Sequence, residues 1–448
     1  MDRREFNRKL AAAAAAAACP LISSVAAGGS HQSGGRQYSI NPGRLRSHLE
    51  ALSRFGRTAE GGVSRVAWSR ADIDAREWVM ESLMKPAGLE VRIDPAGSIF
   101  GRRPGREAAL PVILFGSHTD SVSNGGSFDG PLGTLAAIEV MQALADHNIV
   151  TRHPLECVVW SNEEGEAYGR GLFGSRAMVG AIEPGELDET DENGVHIRDA
   201  VRGIGGDISR IAEARRKPGE IAAYLELHIE QGGVLDKEGL KIGVVEGIVG
   251  IVRYQVEITG SANHAGTTPM PDRRDALVAA SRLVLAVREE TMREPGRQVG
   301  TVGKLSVEPG VPNVIPGRVH LVIEQRDLSL EKVEQIHRRI AARAAEIGRE
   351  SGARIEIRKT SSHEPALSTP WLRELIEREA AQAGFSTLVM PSGAGHDAQM
   401  AARIAPMGMI FAPSVGGISH SPRELTRWED VTNSCEVLYR SVLAIDRR

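Results

Sequence analysis

Cysteine is scarce, with three in 448 residues. Cys19 falls in the leader described below, which leaves Cys157 and Cys435, and one possible pair makes no disulfide framework. Each is expected to be a free, buried thiol, Cys157 within an apolar run ending at Trp160. Aromatic residues make up 4% of the chain. No apolar run beyond the first 30 residues is long enough to cross a bilayer, which excludes membrane insertion of the mature chain. Neither sign of charge dominates: 54 Lys and Arg against 58 Asp and Glu leave a net −4. No global field therefore draws in nucleic acid or anionic lipid. No Gly-x-Gly-x-x-Gly follows a strand at a helix start, which argues against a nicotinamide-dependent dehydrogenase. Internal repeats are lacking as well. Glycine is plentiful, at 49 residues, in a chain 41% hydrophobic and 25% charged. That balance suits a soluble α/β protein with many tight turns, too long for a single ordinary core.

The first residues stand apart. Arg3-Arg4-Glu5-Phe6 precede an alanine-rich run and then the small residues Ser24-Val25-Ala26-Ala27. Basic, apolar and small-residue segments in that order predict a signal peptide over residues 1–29, of twin-arginine type, and hence a periplasmic or secreted protein. Helices are expected over residues 37–63, 71–87 and 132–147. Buried strands are expected over 111–115, 155–160 and 222–227. Strands alternating with helices predict a large, mostly parallel sheet covered on both faces. From residue 248 the pattern becomes β-α-β-β-α-β, a self-contained unit inserted into the larger one. Its first helix is expected to bury Leu277, Ala280, Val284 and Val287. Its second is expected to bury Val333, Ile336, Ile340, Ala344 and Ile347. The large unit resumes with a helix near 371–383, a strand near 407–411 and a final helix from 428. The expected division is 37–246, 247–362 and 363–448.

The acids and histidines fall where chemistry would need them. His118 ends the first buried strand, in Gly116-Ser117-His118-Thr119-Asp120. Asp129 lies in a glycine-rich loop at the mouth of the next helix. Glu163-Glu164 follow the second buried strand, His228 ends the third, and His420 follows a late strand. In an open α/β sheet the carboxyl ends of the strands form the ligand crevice. A lone histidine after a strand is usually structural, and a lone acidic pair is usually surface charge. Their joint placement at successive strand ends instead predicts a metal site of nitrogen and oxygen donors, suited to Zn, Mn, Co or Ni. Asp120, two residues beyond His118, is placed to accept the second imidazole proton.

The stretch GSHTDSVSNGGSFDGPLG, residues 116–133, resembles the metal loop of the M20 metallopeptidase-like amidohydrolases. Within them it is similar to the hydantoinase/carbamoylase branch, which holds N-carbamoyl-L-amino acid hydrolases, β-ureidopropionases and allantoate amidohydrolases. Matching stretches follow in the family order. They include Ser161-Asn162-Glu163-Glu164-Gly165, Leu227-His228-Ile229-Glu230-Gln231-Gly232 and Asn263-His264-Ala265-Gly266. Further matches are Pro312-Asn313-Val314-Ile315-Pro316-Gly317, Ser392-Gly393-Ala394-Gly395-His396-Asp397 and residues 416–422. The resemblance implies two divalent ions per subunit, one on His118 and His228, the other on Glu164 and His420, with Asp129 between them. Glu163 would be the general base. It also implies that the inserted unit is a ferredoxin-like lid and dimerisation domain, and that the protein is a homodimer in which His264 or Arg326 could act across the interface. His264 would donate to the developing oxyanion, and Arg326 would grip a substrate carboxylate. Gln231 and Asn313 would bind carboxylate or ureido groups, and Gly395 would offer backbone. His396 could be a substrate contact or structural. One departure is Glu324-Gln325-Arg326-Asp327, where several relatives carry an aliphatic residue in place of Gln325.

The expected activity is hydrolysis of the C–N bond of an N-carbamoyl-L-amino acid or related ureido acid, such as allantoate or β-ureidopropionate, by di-metal hydroxide attack. Two alternatives are an M20-type di-metal aminopeptidase or dipeptidase and a non-catalytic periplasmic solute-binding relative. The second would have lost the base or a ligand, yet Glu163 and all five candidate ligands are present.

Overall fold

Four strands, Leu155–Trp160, Val112–His118, Ile221–Ile229 and Met407–Ala412, lie side by side in that order and run parallel. They are buried almost throughout, as strands covered on both faces must be. The computed structural model describes residues 38–448, so the expected leader over 1–29 lies outside the described residues. Antiparallel pairs flank the parallel centre. Ile99–Arg103 and then Glu90–Ile93 extend one side. On the other, Ile242–Ile248 pairs antiparallel with Met407–Ala412 and with Ala366–Leu367, and parallel with Thr387–Ser392. The sheet thus has nine strands. Helices Pro131–Asp146 and Trp428–Asp446 cover one face and share a core with Pro42–Leu52. Because the central strands point the same way, their carboxyl ends share one edge, and His118 and His228 stand on it.

The first helix is shorter than expected. Asn41 caps it by accepting from the Arg44 N–H, Pro42 opens it, and it ends at Leu52. Residues 53–63 turn instead, with Gly56 left-handed and packed against the Ser64 carbonyl. The second helix, Arg70–Trp78, widens into a π-helical turn over Val79–Met84. The wider turn brings Val79, Leu83 and Met84 to the core together. Cys157 and Cys435 are free and buried.

The inserted unit follows the expected order: Gly250–Thr259, Ala276–Met292, Val299–Glu308, Arg318–Asp327, Leu330–Ser351 and Arg354–His363. Its four strands are antiparallel, in spatial order Arg354–His363, Gly250–Thr259, Arg318–Asp327, Val299–Glu308. Helix Leu330–Ser351 buries the five expected residues. Helix Ala276–Met292 is rotated from expectation. It buries Ala276, Ala279, Ala280, Leu283, Ala286 and Val287, so small side chains let it approach the sheet and its partner helix closely, while Leu277 and Val284 are only half-buried. The chain leaves the large sheet at Ile248 and returns at Ala366, and these two residues are cross-strand partners.

Gln325 faces the core of this unit in alternation with Val319, Leu321 and Ile323. It is 1% exposed, and neither amide atom has a hydrogen-bond partner among the described residues. An unsatisfied buried polar group costs about 1–3 kcal/mol. Gln325→Met keeps the volume and removes both groups, so it is expected to raise the thermal unfolding midpoint by about 2–4 °C. Calorimetry on the full chain checks this; an unchanged or lowered midpoint would show that the amide is satisfied.

Candidate metal centre

His118 is the last residue of its strand. Gly130 must be glycine: its φ is +80°, and a Cβ there would lie 2.3 Å from the His118 ring. The His118 Nδ1 is 3.0 Å from the backbone carbonyl of Asp120. A carbonyl only accepts, so Nδ1 carries the hydrogen and Nε2 presents a lone pair towards Asp129 and Glu163. The Asp120 carboxylate, expected to make this contact, is 3.7 Å away. It accepts instead from the backbone N–H groups of Glu163 at 3.3 Å and Glu164 at 3.1 Å. The chain turns after the strand and so brings the carbonyl, not the side chain, onto the ring. His228 is held in the same way, with Nδ1 2.9 Å from the Ile229 carbonyl.

Asp129 faces two sets of donors. Its Oδ1 lies 3.1 Å from His228 Nε2 and 3.9 Å from His118 Nε2. Its Oδ2 lies 3.2 Å from His420 Nε2, which is 3.6 Å from Glu164 Oε2. Within each set the donor atoms all lie within 4.8 Å of one another. Adjacent glutamates therefore diverge: Glu163 Oε2 is 3.6 Å from His118, while Glu164 faces His420. The turn that separates them has Asn162 at φ 51° and Gly165 at φ 70°, with Asn162 Oδ1 accepting from the Gly165 N–H. Gln231 and His420 are also left-handed, at φ 57° and 52°. Such residues cost about 1–3 kcal/mol each and cluster where function holds them.

The donor set fits a divalent cation. It offers imidazole nitrogens and carboxylate oxygens in a largely buried pocket, and Glu164 Oε1 is buried without a hydrogen-bond partner. Burial holds His118 neutral, with its pKa down at about 3. Burial would also lower His228, but the hydrogen bond and charge of Asp129 outweigh it and raise the group to about 9. The same carboxylate raises His420 to about 9. Burial and the charge of Asp129 raise Glu164 to about 8. Burial, then Glu164 and Asp397, push Glu163 well above the usual carboxylate range. The metal-free centre thus holds protons that a cation must displace, so metal affinity is expected to rise with pH from 6 towards about 9, with proton release on binding. Titration calorimetry in buffers of different ionisation enthalpy checks the sign; proton uptake would contradict it.

A pocket of about 240 Å³ joins Asp129, Glu163, Glu164, His228, Gln231 and His420 with Gly395 and His396. Gln231 Nε2 donates to Asp129 Oδ2 at 2.7 Å. His396 packs edge-on to His228 at 4.4 Å, and its Nε2 is 2.8 Å from Ser392 Oγ. The remaining candidates do not line this pocket. Arg326 donates from Nη1 to the Gly393 carbonyl at 2.6 Å and from Nε and Nη2 to Glu324. His264 and Asn313 are exposed on the inserted unit and lie close together, the Ala265 N–H donating to the Asn313 carbonyl. The His264 Nδ1 accepts from the Gly266 N–H, which leaves the ring hydrogen on Nε2. A larger depression of about 580 Å³ lies on the open face of the small sheet and holds none of the expected site residues. Sequence reasoning missed Glu424 and Ser419. Glu424 accepts from the backbone of Phe128 and Asp129, and Ser419 Oγ bridges Glu424 and Asp129. The only signal was their closeness to His420.

Residues 114–444 match the model of peptidase family M20/M25/M40. An N-carbamoyl-L-amino acid amidohydrolase of Geobacillus stearothermophilus is 43% identical over 399 residues, 89% of this chain and 97% of that enzyme. The allantoate amidohydrolase of Bacillus subtilis is 38% identical over 85% of this chain and 92% of its own. A crystal structure of a hydantoinase/carbamoylase family amidase from Burkholderia ambifaria superposes with a TM-score of 0.85 at 34% identity, covering 91% of this chain and 98% of that one. The periplasmic or secreted location expected from residues 1–29 does not stand. Those residues lie outside the described ones, and the likeness that spans 97% of the Geobacillus enzyme is to an amidohydrolase, with nothing in it that speaks for export. A match of this length, with relatives covered almost end to end, places the chain in peptidase family M20/M25/M40.

Proposed function

We propose that this protein hydrolyses the C–N bond of an N-carbamoyl-L-amino acid or a related ureido acid, such as allantoate or β-ureidopropionate, with two divalent ions. The observation that carries this reading is one carboxylate, Asp129, shared by two sets of nitrogen and oxygen donors with Glu163 beside them. His118, His228 and Asp129 would hold one ion, and Asp129, Glu164 and His420 the other. When bound, the ions supply Lewis acidity towards the substrate carbonyl and towards water. Glu163 takes the proton of the attacking water and returns it to the leaving nitrogen. An N-carbamoyl acid then gives the free amino acid and carbamate, which decomposes to carbon dioxide and ammonia. The Gln231 Oε1 is buried without a partner and can accept from a ureido N–H. Arg326 meets the substrate carboxylate by exchanging the Gly393 carbonyl for it. The His264 Nε2–H donates to the oxyanion.

His264 does not line the pocket, and a second copy of the chain would supply it. Val278, Leu285 and Met292 leave an exposed apolar stripe on helix Ala276–Met292, beside the open edge of Val299–Glu308. In a two-fold dimer built there, Glu163→Gln and His264→Ala subunits co-expressed at equal levels are expected to recover about a quarter of wild-type activity, because half the dimers hold one intact pocket. Mixing without recovery would place His264 in its own subunit's pocket.

The decisive test is a substrate panel on the metal-reconstituted enzyme, comparing N-carbamoyl-L-amino acids, β-ureidopropionate and allantoate with dipeptides. Dominant dipeptide cleavage would make the protein a peptidase. Binding of ureido acids without turnover would make it a solute-binding protein. Full activity after exhaustive chelation would remove the ions from the mechanism.

A further inference from the structure

His118 and His228 stand on strands of one sheet, so hydrogen-bonded pairing sets their positions. Asp129 and His420 have no such frame. Both lie on loops, far apart in the sequence, and nothing in the sheet fixes the distance between them. Glu424 supplies the link. It is 7% exposed. Its Oε1 accepts from the Phe128 N–H at 2.8 Å and the Asp129 N–H at 3.1 Å. Its Oε2 lies 2.9 Å from Ser419 Oγ, which is also 2.8 Å from Asp129 Oδ2. The loop before Asp129 wraps around the carboxylate so closely that a Cβ on Gly126 would fall 1.9–2.4 Å from its atoms. One side chain thus ties the Asp129 backbone, the Asp129 carboxylate through Ser419, and the loop of His420.

We propose that Glu424 is the positioning residue that sets the separation of the two metal sites, by fastening the Asp129 loop to the His420 loop. The inference rests on the two-ion reading above. It needs hydrogen-bond geometry and not a negative charge. A glutamine at 424 would accept both N–H groups on its oxygen and donate from its nitrogen to Ser419, whose hydroxyl hydrogen then serves Asp129.

The test is titration of metal-free full-length protein with cobalt(II), read as ions bound per subunit and as the visible absorption of each ion. Wild type is expected to bind two. Glu424→Ala is expected to keep the ion of His118 and His228 and to bind the second about 10–100-fold more weakly, with an altered spectrum. Glu424→Gln is expected to retain both. Gly126→Ala should resemble Glu424→Ala, and the double variant should be no worse than either single, since alanine at 424 makes room for the new Cβ. Ser419→Ala removes only the hydroxyl link, and keeps the test open should Glu424→Ala fail to fold; it is expected to weaken the second ion as well. Wild-type binding of both ions by Glu424→Ala, or by Ser419→Ala where Glu424→Ala does not fold, overturns the inference, as does loss of the second ion in Glu424→Gln. A wild type that binds one ion sinks the two-ion reading itself and takes this inference with it.

Discussion

Glu163→Gln is expected to lower kcat by about 10³-fold with KM and metal content near wild type, within the range typical of a lost general base. Glutamine keeps the volume and can still accept hydrogen bonds, but it cannot take a proton from water. The backbone at Glu163 is held by Asp120 whichever side chain it carries, so the loop should not move. The neighbouring change separates the two acids. Glu164→Gln should lose an ion, because Glu164 faces His420 and Asp129 while Glu163 does not. Single-turnover rates with metal analysis of both variants check this. A Glu163→Gln enzyme within ten-fold of wild type would assign the base elsewhere.

Asp129→Ala is expected to do more, abolishing measurable turnover and weakening both ions together. Its two oxygens serve separate donor sets, so one substitution removes a donor from each. The loss should exceed the roughly 10–100-fold seen when only an outer contact to a metal ligand is removed. His420→Ala, by contrast, leaves the set of His118, Asp129 and His228 complete and should still bind one ion. Two ions retained at wild-type affinity in Asp129→Ala would show that the carboxylate does not bridge.

The central strands were legible because each is a short, mostly apolar run rich in Val, Ile, Leu and aromatic residues and bounded by turn residues. Ile99–Arg103, Ile242–Ile248 and Thr387–Ser392 were not. Glycine, glutamate and proline interrupt them, and they are strands only because a neighbour pairs with them. On helix Ala276–Met292, Ala280 and Val287 are buried as expected, while Leu277 and Val284 flank the core because close packing places Ala279 and Ala286 at its centre. At the candidate metal centre the histidines and carboxylates were expected from their place after strands and from the family resemblance, and the structure brings them together. Their supports were not expected. That a carbonyl and not the Asp120 carboxylate meets His118, that Arg326 rests on Gly393, and that Glu424 holds the Asp129 loop all depend on how distant loops meet.

The pairing of Ile248 with Ala366 means that the polypeptide departs from and rejoins the large sheet through a single doorway. Whatever is threaded through that doorway can be exchanged without re-registering any strand that carries His118 or His228. Chimeras swapping residues 249–365 among relatives are therefore expected to bind metal as the parent that supplies the large sheet does, which metal analysis of the purified chimeras checks.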